Sequence, residues 1–419
     1  MSVKWQKVRL GDVAIGIYDG PHATPPECDV PGPYYLGIPH ILPSGHIDLD
    51  HPRYIAEADF GKWTKRVVPQ YGDVLFSYEA TLNLYACVPK DFRCCLGRRM
   101  GLVRPDPTKL DTLYLYYYFF SPTWRKTVLE KTIVGATVDR LPIKTFPDFP
   151  VLLPPLPVQK KIASILSAYD DLIENNRRRI AILEEMARKV YRKRFGGKRG
   201  ANRVSLRSFV NQTVSGDWGM ESSGGRCSER IVCLRGADIT SVRQRDWGKR
   251  IVRYVTQKHV EERAMRDGDL FVELSGGSPT QATGRVGLVT DEMLRDVDCP
   301  VLCTNFCRVV RPKGGYSYFL YLTWLDLYEK DVMFLYEHSA IALKNFDLDL
   351  FLDKVTVGNP ATEELLKFNE DVKPLMDQMD VLGLANRRLA AARDVLLPKL
   401  MIGELTSQSR RCVYKVIRK

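Results

Sequence analysis

Ile162-Ala163-Ser164-Ile165-Leu166-Ser167-Ala168-Tyr169-Asp170-Asp171-Leu172-Ile173-Glu174-Asn175-Asn176 places apolar side chains three and four residues apart, and the pattern continues through Ile180, Leu183, Ala187 and Val190. One seam reads Ile162, Tyr169, Asn176, Leu183, Val190, and the other Leu166, Ile173, Ile180, Ala187. Such a stripe, sustained over about four heptads, predicts a coiled-coil helix. A helix from Val158 to Phe195 would be roughly 55 Å long, too long to be wrapped by one small domain.

Pro150-Val151-Leu152-Leu153-Pro154-Pro155-Leu156-Pro157 precedes it and cannot be helical at its prolines, so it marks a boundary. Gly196-Gly197-Lys198-Arg199-Gly200 follows it and reads as a hinge. A second helix is expected after Pro360, from Thr362 to Leu400. Its seams are Phe368, Leu375, Leu382, Leu389, Leu396 and Leu365, Val372, Met379, Asn386, Leu400, with Arg393 interrupting the latter. Pro374 is expected to kink or split this helix, and Gly383 to weaken it. Each helix carries one seam asparagine near its middle. An antiparallel pairing would bring Asn176 and Asn386 together, where a buried asparagine fixes register; alternatively both lie solvated at the seam edge. The residues expected to pair the helices are Ile162, Tyr169, Asn176, Leu183, Leu375, Leu382, Asn386 and Leu389.

Outside the helices the chain repeats itself, with an offset of about 200 residues. Leu10 is echoed by Leu206, Gly72-Asp73-Val74-Leu75-Phe76 by Gly268-Asp269-Leu270-Phe271-Val272, and Arg104-Pro105 by Arg311-Pro312. A tyrosine-rich run, Tyr114 to Tyr118, is matched by Tyr318 to Tyr321, and Asn176-Arg177-Arg178 by Asn386-Arg387-Arg388. Strand-like runs (34–41, 74–78, 100–103) separated by Gly and Pro, followed by an aromatic helix over 112–131, make each half a mixed α/β module. The fold class is therefore α/β (α+β): two similar modules, each followed by a long helix, the helices pairing as an antiparallel coiled coil. The expected domains are 1–155, helix 156–197, 202–359, helix 360–405 and a basic tail, 406–419.

The 419 residues carry 45% hydrophobic and 27% charged side chains, the balance of a globular protein with real cores. Neither an eighteen-residue apolar stretch nor an N-terminal signal pattern is present, so neither a membrane span nor export is expected. Ten cysteines without a CxxC pair suggest neither a disulfide nor a zinc framework, and point to a reducing cytoplasm. His40, His46 and His51 match no common metal-ligand spacing; Cys299, Cys303 and Cys307 read as small buried hydrophobes on a strand-and-turn segment. The net charge of +12 is the informative number, since it suits a polyanionic partner, either nucleic acid or an anionic membrane.

The sequence holds no GxxxxGK[ST] loop, HExxH, GxSxG or GxGxxG after a strand, and no tetrapeptide of the amino-methyltransferase type. What remains is basic, polar and aromatic. In the first module the candidates for DNA contact are His22 and Thr24 in the Asp19 to Pro25 loop, Arg98 and Arg99, and Arg140 and Lys144. In the second they are Trp218, in the place of the first loop, and Ser278, Thr280, Gln281, Thr283 and Arg285 in a long polar loop. Arginine, glutamine and asparagine read base edges by paired hydrogen bonds, while hydroxyls hold phosphates. For any one of them the plainer reading is an ordinary surface side chain. The basic stretch from Arg188 to Arg199 either follows a phosphate backbone or forms a solvated, partner-facing helix surface.

The segment Leu153-Pro154-Pro155-Leu156-Pro157-Val158-Gln159-Lys160-Lys161-Ile162-Ala163-Ser164-Ile165-Leu166 through Asn176 closely resembles the central segment of type I restriction-modification specificity subunits. Leu396-Leu397-Pro398-Lys399-Leu400 through Leu405 is similar to that family's C-terminal signature, and the two Gly-Asp strands to the strand within each of its recognition domains. The second helix departs from the pattern, since Asn359-Pro360-Ala361-Thr362-Glu363-Glu364 lacks the Pro-x-Gln of Pro157-Val158-Gln159. The resemblance implies a non-catalytic reader of double-stranded DNA whose two target recognition domains each bind half of a bipartite site. It further implies two modification (methyltransferase) subunits and two restriction (endonuclease/translocase) subunits as partners. S-adenosylmethionine, ATP and Mg would be bound by those partners, and no cofactor or metal by this chain. The alternatives are a helical scaffold without DNA reading and a divergent DNA-modifying enzyme. Salt-dependent duplex binding discriminates against the first, and cleavage or methyl transfer by the purified chain would favour the second.

Overall fold

The computed structural model describes residues 5–49, 51–135, 137–196, 202–277, 281–340 and 343–404. The hinge expected at 197–200 and the tail after Leu405 lie outside the described residues. Two compact units divide the chain, one of Met1–Asp171 with Ala390–Lys419 and one of Leu172–Leu389. No helix among the described residues is long and apolar enough to cross a membrane.

The first unit is built on a four-stranded antiparallel sheet in the order Ala14–Asp19, Met100–Pro105, Val74–Ser77, Tyr85–Cys87. A parallel pair, Tyr34–Leu36 with Cys94–Leu96, extends one end, and Gln6–Arg9 pairs with Pro150–Leu153 to close the other. The proline-rich boundary is thus partly a strand. The second unit repeats this plan: Val210–Ser215, Cys307–Pro312, Leu270–Glu273, Val286–Leu288 form its sheet, Glu229–Leu234 runs parallel to Val301–Cys303, and Arg203–Ser205 pairs with Thr356–Gly358. Even the irregularity recurs, a bulge between Ala14 and Gly16 and again between Val210 and Gln212.

The sequence echoes are the residues that tie this frame. Arg104 Nε and Nη2 each donate to Asp73 at 2.8 Å, and Arg311 Nε and Nη2 each donate to Asp269 at 2.9 Å. In both modules the same arginine also donates to the carbonyl of the preceding turn, Val68 or Ala264, and the aspartate accepts from the backbone N–H of Gln70 or Arg266. The Gly-Asp and Arg-Pro anchors are therefore two ends of one buried fork-to-fork pair, the geometry that Arg makes best. Leu10 and Leu206 begin matching 3-10 turns, both fully buried.

The aromatic segment expected as one helix over 112–131 is two, Thr112–Phe120 and Pro122–Lys131, because Ser121 accepts a cap from Trp124 N–H and Pro122 starts a new first turn. Its counterpart in the second module, Ser317–Glu329, is unbroken.

The long helices run Leu156–Phe195 and Thr362–Met401. In the first unit Ile162, Ala163 and Leu166 join Leu396, Leu400 and Met401 in the module's own core. Asp170 pairs there with Arg393, so the charge that interrupts the seam is neutralised, and Tyr117 Oη donates to the same carboxylate at 2.6 Å. In the second unit Ile180, Ala187 and Tyr191 share one core with Leu365, Phe368, Val372, Met379, Leu382 and the helix Ser317–Glu329. Asn176 Nδ2 donates to Asn386 Oδ1 at 2.9 Å, and Arg194 pairs with Asp371 at 2.6 Å. Rising numbers on one helix meet falling numbers on the other, which makes the pairing antiparallel, and the asparagines are paired rather than solvated.

The second helix is not split at Pro374, and Gly383 has a packing role the sequence did not show. The helix continues through Pro374, whose exposed position leaves the carbonyl freed by the missing N–H on the solvent face. Gly383 is buried, and a Cβ there would lie 2.3 Å from Arg245 Cβ and 2.7 Å from its carbonyl oxygen. Glycine at this point is a notch that admits Arg245. That residue is fully buried in a left-handed conformation (φ 58°), with Nε 3.0 Å from Asp380 Oδ1. Arg387 donates to the Arg245 carbonyl and its Nε lies 2.7 Å from Asp296. Burial raises the Asp380 carboxyl above the ordinary range, with Arg245 and Thr290 opposing. Close by, burial would raise Glu184, but Arg243, Tyr321 and Arg245 together hold it below the usual glutamate value.

The basic stretch divides over its described part: Lys189 and Lys193 are exposed, whereas the arginines turn back onto the protein. Arg188 Nη2 meets Glu329 at 2.5 Å, Arg192 meets Asp326 at 3.2 Å, and Arg188 also donates to the Leu325 carbonyl. These arginines fasten the helix to the second module.

Candidate nucleic-acid interface

The first module brings several of the expected residues to one edge. Gly20 N–H donates to the Met100 carbonyl at 2.8 Å, and a Cβ on Gly20 would lie 2.6 Å from the Gly97 carbonyl, so the loop carrying His22 and Thr24 lies against the turn carrying Arg98 and Arg99. His22 and Thr24 are exposed. His22 Nε2 lies 3.3 Å from Asp19, which Arg66 holds at 2.6 Å. Arg98 is exposed; Arg99 is half-buried, adopts φ 72° and sets its Nε 2.9 Å from Glu79.

Glu79 in turn bridges to Arg140, whose backbone exchanges hydrogen bonds of 2.9 and 3.1 Å with Ile133. Arg140 is exposed, as is Lys144 in the following turn. Ala80 and Asn83 hold positive φ (67° and 64°), and Ala80 N–H donates to the Asp139 carbonyl at 2.9 Å. Three non-glycine residues in left-handed conformations thus lie near the Arg99–Glu79 pair and the backbone bridge between Glu79 and Arg140; strain of this kind persists where the surroundings enforce it, and clusters at functional sites. Burial, with Asp19 and Glu79 nearby, pushes the Tyr78 phenol up to about 12.

The second module reproduces the edge with other side chains. Gly216 takes the place of Gly20, with a Cβ that would fall 1.9 Å from the Thr304 carbonyl, and Arg263 donates to its carbonyl as Arg66 does to that of Gly20. Trp218 is 38% exposed with the Arg253 guanidinium 4.4 Å from its ring centroid, so one indole face is already covered. Asp217 meets His259 Nδ1 at 2.5 Å.

The long polar loop divides. Ser278 and Thr280 lie outside the described residues, and Gln281 is half-buried. Thr283 is fully buried, and its N–H and hydroxyl reach Glu337 Oε1 at 2.5 and 2.8 Å. Arg285 donates to both oxygens of Glu273 at 2.9 and 2.7 Å and to the Gly236 carbonyl at 3.1 Å. Both expectations of DNA contact are corrected: these two side chains are consumed in holding the loop.

Sequence reading missed the residues that replace the arginines here. Tyr78 N–H donates to Arg99 O at 3.1 Å, and Leu274 N–H to Phe306 O at 2.9 Å; Leu141 N–H donates to Tyr78 O at 2.7 Å, and Phe346 N–H to Leu274 O at 2.7 Å. These matched bonds set Arg98 against Asn305, Arg99 against Phe306, Glu79 against Ser275 and Arg140 against Asn345. Asn305 and Asn345 are exposed, Phe306 is 57% exposed, and Asn345 Oδ1 accepts from Ser275 at 2.5 Å. Counting back from the two Arg-Pro anchors, Arg104 and Arg311, would have found Phe306 and Asn305; the hairpin Glu337–Ala340 with Leu343–Phe346 has no such landmark in the sequence.

Among the described residues no group of three or more His, Cys, Asp or Glu is placed to hold a metal ion. His40 instead accepts the Gly37 N–H at 3.1 Å. Cys303 and Cys307 are buried on strands, and burial raises both thiols well above their ordinary range.

Residues 2–185 match the family model for the type I restriction modification DNA specificity domain. Over these residues the chain is similar to the type I restriction-modification specificity subunits. Similar curated proteins are the type I restriction enzyme MjaIX specificity subunit of Methanocaldococcus jannaschii, 23% identical over 404 residues (88% of this chain, 87% of the relative), and the MjaVIII specificity subunit of the same organism, 33% identical over 192 residues (46% and 42%). Among solved structures, the type I restriction-modification S subunit from M. genitalium aligns over 95% of this chain and 96% of its own, with 15% identity and a TM-score of 0.47.

Proposed function

We propose that this chain is the DNA-reading subunit of a type I restriction-modification complex, each module recognising one half of a bipartite duplex target. The observation that carries the reading is a frame repeated bond for bond, Asp73–Arg104 and Asp269–Arg311 at its centre, whose exposed edge changes from arginines to asparagines and an aromatic. A repeated frame with unlike edges suits a target with two unlike halves. The net charge of +12 supplies the sequence-independent attraction to phosphate.

On this reading the protein works in the cytoplasm and catalyses nothing itself. Two modification subunits methylate adenine with S-adenosylmethionine, and two restriction subunits translocate and cleave with ATP and Mg; this chain directs both. The long helices, continuous with each module's core, transmit the position of each reading edge to those partners.

The full-length chain is expected to bind duplex DNA with a steep salt dependence. Six phosphate contacts would weaken binding on the order of 10³-fold between 50 and 200 mM salt. Fluorescence anisotropy across a salt series measures the slope. A flat slope would favour a scaffold that does not read DNA, and metal-dependent cleavage by the purified chain would favour an enzyme.

A further inference from the structure

Two positions on the reading edge change in the same chemical sense between the modules. Arg98 is replaced by Asn305 and Arg140 by Asn345, and all four side chains are exposed. The backbone around them is held alike, through the paired bonds of Arg99 and Phe306 to the central strand's extension and of Leu141 and Phe346 to the same extension. Neighbouring charged residues form ion pairs within their own module: Arg99 with Glu79, Arg285 with Glu273.

We infer that these are specificity-determining positions, Arg98 and Arg140 selecting guanine in one half-site, Asn305 and Asn345 selecting adenine in the other. The inference rests on the DNA-reading function proposed above and adds to it the residues and the bases. Its chemistry is that of the major groove. A guanidinium fork donates two hydrogen bonds to guanine O6 and N7, whereas an asparagine amide accepts from adenine N6 and donates to N7. Neither side chain reproduces the other's pairing. Asn345 is already oriented, since Ser275 Oγ holds its Oδ1 at 2.5 Å and leaves the amide Nδ2 to donate outward.

The test reads the methylated motif by methylation-aware sequencing of a host carrying the complete complex. Arg98→Ala and Arg140→Ala are each expected to relax one guanine of one half-site, with discrimination falling on the order of 10- to 100-fold, while the other half-site is unchanged. Asn345→Arg is expected to replace an adenine requirement by guanine in the second half-site only. A double Arg98→Ala, Arg140→Ala complex that still methylates the unaltered motif would overturn the assignment, as would relaxation in both half-sites together. A wild-type complex that methylates no bipartite motif would instead count against the DNA-reading function itself. All these side chains are exposed, and expression of the soluble complex separates a reading defect from a folding one.

Discussion

Arg311→Ala is expected to destabilise the second unit by about 3–5 kcal/mol, the cost of leaving a buried charge without its partner. Asp269 is 1% exposed and accepts two of its hydrogen bonds from Arg311; only the Arg266 N–H would remain. The second arginine function, holding the Ala264 carbonyl at 3.2 Å, is lost as well. Urea unfolding of wild type and variant measures the change. The same substitution at Arg104 is expected to act alike on the first unit, because Asp73 is equally buried. Arg295→Ala is the control: its partners are on the surface, with side-chain exposures of 68% and 54% for Arg295 and Asp291, and such pairs contribute about 0–1 kcal/mol. Removing Asp269 together with Arg311 should restore part of the loss, since the uncompensated charge goes with it. A loss below about 1 kcal/mol for Arg311→Ala would mean that the repeated anchors do not hold the frame.

Gly383→Ala sets two effects against each other. Helix propensity alone favours alanine by about 1 kcal/mol. The added Cβ, however, would lie 2.3 Å from Arg245 Cβ and 2.7 Å from its carbonyl oxygen. Neither is the end of a flexible side chain. Arg245 is fully buried, left-handed, and fixed by Asp380 and Arg387, so it has no easy way to retreat. Overpacking of this kind costs typically about 1–3 kcal/mol and occasionally more. We therefore expect a net loss of about 1 kcal/mol, seen as a lower urea midpoint. Gly61→Ala is the counterpart, in a short helix with open space around the position, and should be neutral or stabilising. If Gly383→Ala also stabilised the protein, the notch would be no constraint, and propensity would suffice.

The frame was legible because it is made of local signals. Heptad spacing predicted both long helices, and the recurrence of Gly-Asp and Arg-Pro predicted two like modules. Asn176 and Asn386 were identified from seam position alone, which left pairing and solvation as alternatives; they are paired. Proline and glycine in the second helix misled for a physical reason. Their propensities describe an isolated helix, whereas Pro374 is exposed and Gly383 is shaped by a neighbour 138 positions away in sequence, Arg245. The reading edge was only half legible. Arg98, Arg99 and Arg140 were recognisable as charges in loops, but the Arg99–Glu79 pair and the backbone bridge that brings Arg140 to Glu79 are not encoded in composition. Thr283 and Arg285 were misjudged because a polar loop shows which groups can bond and not which are already bonded. Asn305 carries no charge and is found only by counting from the repeated anchor, and Asn345 stands out only once the two modules are compared bond by bond.

The central claim is that this chain chooses where its partners act on DNA. Methylation-aware sequencing of the host genome before and after deletion of the gene tests it most directly. The account predicts that one bipartite adenine motif, present before deletion, is lost while all other motifs persist. An unchanged set of methylated motifs in a host whose modification subunits are active would contradict it.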